Sequence, residues 1–135
     1  MYSEHCLEHL AYEDALSALG EFKRVLRPAG TARIVVPDAE LFIDLNRRHA
    51  AGEAVKFPYV EDPPPAGFTP LVAINRIFRS HGHQFAYDAP TMSEALKHAG
   101  FREPRKVSFM QGSDPKLLID SESRAIESLY MEATA

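Results

Sequence analysis

The densest run of chemically capable side chains is Glu4-His5-Cys6-Leu7-Glu8-His9. Its last five residues spell H-x-x-E-H. On an α-helix, residues four apart share a face, so His5 and His9 would offer two imidazoles to one zinc ion, with Glu8 between them as general base. Such a site needs a third protein ligand and an open position; Glu13 or a distant glutamate is the candidate. That is a zinc peptidase reading. The plainer one is a polar start to a helix, with Leu7 and Leu10 turned inward. A second pair, His81 and His83, flanks Gly82, whose backbone freedom lets both rings face one cavity. A pocket-lining role is expected there before a metal-binding one. Asp38 ends a buried-looking strand, the position at which α/β folds place ligands. The same residue type caps helices, and the cap is the favoured role. Cys6 has no helix start or clearly basic neighbour to favour its thiolate. Neither G-x-G-x-x-G nor a Walker sequence occurs, so no phosphate cradle is expected.

These residues need elements to position them. Ala15, Leu16, Ala18, Leu19, Phe22, Val25 and Leu26 recur at helical spacing and predict a helix over 12–26. Acidic residues open it, basic residues close it, and Pro28-Ala29-Gly30 ends it. The β-branched run Ile34-Val35-Val36 predicts a strand over 31–36, buried on both faces as in a parallel sheet. A helix over 39–50 follows. Residues 52–67, with Pro58, Pro63, Pro64 and Pro65, read as an exposed loop or insertion. A short helix over 70–79 precedes the histidine pair. Thr91-Met92-Ser93-Glu94 has the spacing of a capping box and opens a helix that stops at Gly100. Weak strands are expected over 106–110 and near Leu129-Tyr130-Met131. Residues 117–119 form a third short strand or a helical turn. Short connections between helix, strand and helix give the rhythm of an α/β fold, and the whole reads as one domain over 1–135.

Composition excludes several classes. With 135 residues, 45% hydrophobic and 25% charged, the chain can build one core and is not a disordered polymer. A net charge of −4 argues against a broad grip on nucleic acid. No run of 18 apolar residues offers a membrane span. Met1–His5 is neither basic nor apolar, so no signal peptide is expected. The single cysteine allows neither an internal disulfide nor a cysteine-based zinc site. A cytoplasmic protein is the expectation.

Several segments together resemble one family. Ser3-Glu4-His5-Cys6-Leu7-Glu8-His9-Leu10, then Phe22-Lys23-Arg24-Val25-Leu26-Arg27-Pro28-Ala29-Gly30, then Ala32-Arg33-Ile34-Val35-Val36-Pro37-Asp38 are similar to the class I S-adenosylmethionine-dependent methyltransferases of the type 11 group. His83-Gln84-Phe85-Ala86-Tyr87-Asp88, the helix opened by Thr91 and Ala99-Gly100-Phe101 resemble that family's C-terminal part, and Ser128-Leu129-Tyr130-Met131-Glu132-Ala133 resembles its closing strand. The resemblance implies a partial Rossmann-like methyltransferase sheet with flanking helices. It lacks the N-terminal strands that carry the glycine-rich turn and the ribose-binding acid. S-adenosylmethionine is the implied cofactor. Ser3 and Glu4 are implied beside it, His5 and His83 as catalytic groups, and His81 on the acceptor side. Asp38, by its place after the strand, joins the substrate-binding candidates. A chain that opens at the end of the family's fourth strand is expected to be truncated and weakly active or inactive alone. The alternatives are a non-catalytic interaction or dimerisation module and the H-x-x-E-H peptidase.

Missing strands would leave one edge of 31–36 open and a helix face uncovered, and both invite association. A homodimer, or a partner chain carrying the missing half, is expected. Light scattering on a size-exclusion column is expected to report a species larger than one chain; a clean monomer overturns the expectation.

Overall fold

In the computed structural model, which describes residues 1–135, the apolar run forms the strand β2, Thr31–Pro37. It lies inside a four-stranded sheet of order β1-β2-β4-β3, with β1 at Tyr2–Glu4, β3 at Arg102–Val107 and β4 at Ser128–Thr134. β1 runs parallel to β2, and β4 runs antiparallel to it. The helices are α1 (Tyr12–Val25), α2 (Ala39–Ala50), α3 (Pro70–Arg79) and α4 (Ala89–His98). The fold is therefore mixed α/β. No helix is long and apolar enough to cross a membrane.

Strand alternation divides the sheet into two faces of different chemistry. Ala32, Ile34 and Val36 of β2, with Leu129, Met131 and Ala133 of β4, join Leu19 of α1 and Met92 and Leu96 of α4 in the main core. The other face is polar. Arg33, on β2, has Tyr2 and Glu132 as its cross-strand neighbours. Its guanidinium has no exposed surface. Nε and Nη2 donate to Asp120 at 2.8 and 2.5 Å, and Nη1 donates to Glu132 at 3.2 Å. The Gln111 and Ser108 carbonyls accept the rest, at 2.9 and 3.1 Å. The segment over 108–120 is thus laid across the sheet by one side chain. Gly112 is required by space within it, because a Cβ there would overlap Glu132 Oε1.

A separate small core joins Phe42 and Leu45 of α2, Ala73 of α3 and Phe57. Residues 51–69 form no helix or strand, yet Phe57 is buried in this second core.

Several local expectations are corrected. The sheet is mixed rather than parallel; β2 is buried on both faces because an ion cluster covers the second one. The open edge is not that of β2. Thr31 accepts from the Met1 amino group, Arg33 N donates to Met1 O, and His5 N donates to Val35 O, so β1 covers β2. By strand alternation the amides of Tyr2 and Glu4 turn outward, and the free edge is theirs. The capping box does not form: Asp88 caps α4 by accepting from Thr91 N at 2.8 Å. Pro90, which has no N–H to satisfy, fits the first turn and lets α4 start earlier. β3 lies at 102–107, not 106–110. At the sheet's edge it is mostly exposed and lacks apolar alternation. Residues 117–119 form no strand, and a 3₁₀ turn spans Pro115–Leu117.

Burial opposes charge on Arg33, but its hydrogen bonds and attraction to Asp120 and Glu132 outweigh that cost and raise its pKa. Burial likewise pushes Asp120 and Glu132 up. Arg33 and the Met110 amide overcome it for Asp120, and the Ser113 amide and hydroxyl with Arg105 and Arg33 do so for Glu132, so both stand below the ordinary carboxylate range. Asp120→Ala strips buried Arg33 of one of its two carboxylates and leaves its Nε–H without an acceptor, and is expected to cost about 3–5 kcal/mol in a urea unfolding series. A loss of only a few tenths would show that solvent reaches the guanidinium. Because the folded values are low, the unfolded chain binds more protons in acid, and stability rises with pH there. The contribution is complete only above the unfolded values of both groups, from about pH 5 upward, and is lost as pH falls through the folded values. Asp120→Asn is expected to flatten that acid limb.

Candidate functional site

β1 and β2 are parallel, so both deliver their carboxyl ends to the same end of the sheet. The chain leaves β1 at His5, which takes the left-handed conformation with φ 47°. It then makes one turn of 3₁₀ helix, Leu7–His9, anchored by the fully buried Leu7. The i, i+4 helical face that H-x-x-E-H requires does not form. His5 stands outside the turn, with Nε2 2.9 Å from Ser128 Oγ. The Ser128 hydroxyl donates to the Arg124 carbonyl at 2.8 Å, so Nε2 of His5 is the donor to Oγ.

Glu8 is the unexpected centre. Its side chain is 1% exposed, and neither carboxylate oxygen accepts a hydrogen bond. His5 Nδ1 lies 3.3 Å from Oε1, close enough for an ion pair but off the line of a hydrogen bond. His9 Nε2 lies 3.9 Å from the same oxygen. The Glu8 carbonyl is well used: it accepts from Gln84 N at 2.7 Å and Phe85 N at 3.2 Å. Gln84 Nε2 donates to His9 O at 2.7 Å. Two residues on, Tyr87 bridges to Asp38, and Ala39 N donates to Tyr87 O at 2.9 Å. The stretch over 83–87 therefore ties the turn after β1 to the end of β2. Burial first, then Tyr12 and Glu8, push the Tyr87 hydroxyl up to about 12. That hydroxyl is buried without a partner.

His81 and Gly82 both take positive φ, 61° and 78°, and fold the chain back after α3. His83 Nδ1 is 2.6 Å from the Ile77 carbonyl. A carbonyl only accepts, so this nitrogen carries a proton, and in the neutral ring the lone pair is on Nε2. The His9 and His83 rings meet nearly at right angles, with centroids 4.8 Å apart. His81 and His83 line a cavity of about 330 Å³ with Phe42, Tyr59, Ala73 and Ile77 on its apolar side. Arg76, Arg124 and Glu127 complete its polar side. Tyr59 donates to the Ser123 carbonyl at 2.7 Å and to Glu127 at 3.2 Å. Arg124 pairs with Glu127 at 3.0 Å.

The structure brings some candidates together and leaves others apart. His81 and His83 share the cavity wall. His5 and His83 both approach Glu8. Ser3 is buried in β1 opposite Ile34, on the face that packs against α1 and α4. Both Glu4 oxygens are taken by Ser121, from its amide at 2.9 Å and its hydroxyl at 2.6 Å. Asp38 caps α2 by accepting from Glu40 N at 3.2 Å and pairs with Lys106 at 3.0 Å. It is not on the cavity wall. Tyr59, Arg124 and Glu127 were not anticipated. They come from the proline-rich stretch and an unpatterned tail segment, where periodicity carries no signal. Asp38→Ala is expected to cost about 1 kcal/mol of stability and to leave ligand binding in the cavity unchanged. Lost binding in a folded variant would return Asp38 to the site.

No family model matches the chain, and no curated protein matches it. Among solved structures it is similar to a SAM-dependent methyltransferase from Archaeoglobus fulgidus, with a TM-score of 0.54 and 15% identity. The match covers 99% of this chain and 57% of that one, so the chain spans little more than half of that protein's length. The likeness is one of fold: a four-stranded mixed sheet with flanking helices, resembling a methyltransferase fold.

Proposed function

We propose that this chain carries the acceptor side of an S-adenosylmethionine-dependent methyl-transfer site. The observation that carries the reading is the cavity near the carboxyl end of β2, with two imidazoles on its wall, within a methyltransferase-like fold. Its size suits a small molecule. Phe42, Ala73 and Ile77 offer an apolar wall for the body of an acceptor, and His81 and His83 would meet a nucleophilic oxygen or nitrogen. Their part is to orient that atom, exclude water and hold its proton. The cofactor, when bound, supplies an electrophilic methyl group.

The two residues the resemblance implies beside the cofactor are otherwise occupied. Ser3 faces the helices, and the Glu4 carboxylate is fully engaged by Ser121. This supports the reading that a donor site needs residues beyond those described, and that these 135 residues are weakly active or inactive alone. On the same reading, the outer edge of β1 is where a second copy or a partner chain would extend the sheet.

The test is a two-dimensional amide NMR titration of the chain with small phenols and amines, and separately with S-adenosylhomocysteine. Phenol or amine fragments at millimolar concentration are expected to shift amides of Phe42, Tyr59, Ile77 and His83. His83→Ala is expected to weaken that binding severalfold. S-adenosylhomocysteine is expected to cause only weak shifts, near the carboxyl ends of β1 and β2. Absence of any fragment response at the cavity overturns the reading.

A further inference from the structure

We propose that Glu8, His9 and His83 form a binding site for one divalent transition-metal ion of the zinc type. The first observation is the orphaned carboxylate. A buried carboxylate is ordinarily hydrogen-bonded or bound to metal, and Glu8 is 1% exposed with neither oxygen hydrogen-bonded; the imidazoles of His5, at 3.3 Å, and His9, at 3.9 Å, are the charges near Oε1, and no group lies against Oε2 at hydrogen-bond distance. Tyr87, whose phenol feels the Glu8 charge, does not donate to it.

The second observation is convergence. One ligand atom from each of Glu8, His9 and His83 lies within 4.8 Å of the others. Tetrahedral zinc with bonds of about 2.0–2.1 Å holds its ligand atoms roughly 3.4 Å apart. His9 Nε2 and Glu8 Oε1 are at 3.9 Å already, so modest side-chain rotation closes the set.

The third observation is the state of His83. Its Nδ1–H donates to the Ile77 carbonyl, which fixes the tautomer of the neutral ring and leaves Nε2 as its ligand nitrogen. A metal-bound histidine is ordinarily oriented by a hydrogen bond of this kind. His9 and His83 also belong to separate elements locked together, because the Glu8 carbonyl and the His9 carbonyl both accept from Gln84.

Two imidazoles and one carboxylate suit zinc, cobalt or nickel over magnesium or calcium. Three protein ligands leave an open coordination position, the pattern of catalytic rather than structural zinc. His83 also lines the cavity, so the ion would stand at its wall, able to polarise an oxygen or nitrogen of a bound molecule. His83 Nε2 would then be a ligand, leaving His81 as the imidazole free to accept a proton. The site is not the H-x-x-E-H arrangement, since His5 is held by Ser128 and its place is taken by a residue far along the chain. It stands on geometry alone and is independent of the methyl-transfer reading.

Metal-free protein titrated calorimetrically with zinc is expected to bind one ion per chain. Glu8→Gln, which keeps the shape of the side chain, and His83→Ala are each expected to weaken binding at least tenfold. Cys6→Ser and His98→Ala are expected to leave it unchanged. Cobalt is expected to give visible bands of a four- or five-coordinate ion that disappear in Glu8→Gln. Circular dichroism checks each variant's fold. Should the variants misfold, X-ray absorption on the zinc-loaded natural chain decides: two imidazoles with oxygen support the site, and a sulfur ligand overturns it. Absence of saturable binding, or binding indifferent to Glu8→Gln and His83→Ala, also overturns it.

Discussion

A guanidinium shut away from water needs an acceptor for each of its five N–H groups, and Arg33 finds all five. Two carboxylates face one guanidinium, and the excess negative charge is shared outward. Arg105 and Ser113 attend Glu132, and Tyr2 and the Met110 amide attend Asp120. The arginine ring of contacts also lies against Tyr130, 5.3 Å from its ring centre. Burying such a cluster gives little net stability compared with apolar packing, but it penalises every wrong register. A shift of β4 by one residue would turn Glu132 into the apolar core and take from Arg33 one of its two carboxylates. The cluster thus fixes the β2–β4 register and lays the segment over 108–120 on the sheet.

The candidate site inherits its rigidity from that sheet. β1 is only three residues long and is held by β2 backbone and by Asp120 and Ser121 from the overlying segment. Its end sets His5, the 3₁₀ turn sets Glu8 and His9, and the Glu8 carbonyl draws in the chain after α3. The backbone of one residue therefore organises the loop while its side chain makes no hydrogen bond, with only imidazoles near one of its oxygens. Polar groups arranged this way are expensive to keep buried, which is why Glu8, rather than the more conspicuous Glu4, is the informative carboxylate. Each Glu4 oxygen already accepts a bond from Ser121.

Much of the local structure was legible. The helices over 12–26, 39–50 and 70–79 follow from apolar spacing and from proline and glycine stops, and Asp38 caps its helix as residue type and position suggest. β3 was misplaced because an edge strand with Pro104 in it buries little and so shows no alternation. Local apolar content marks only Leu129-Tyr130-Met131 of β4, because Glu132 is a charge whose partner Arg33 lies far along the chain, whereas the family resemblance marks 128–133, close to the observed Ser128–Thr134. Asp88 took the capping role expected of Thr91 because the two signals overlap within one helical turn. His81 and His83 line one cavity, but their nearness to Glu8 and His9 was not visible in the sequence. Seventy-odd residues separate the two segments, and neither carries a pattern that refers to the other.

The sequence by itself determined the α/β class, the helices and the strand at the centre, because propensity, periodicity and capping act over a few residues. Only the tertiary structure decided which polar groups are used up and which are left over. Ser3 turned to the helices, Glu4 was spent on Ser121, and Glu8 was buried beside two histidines from different elements. Satisfaction of a buried polar group depends on partners brought from far along the chain, and that information exists only once the sheet is assembled.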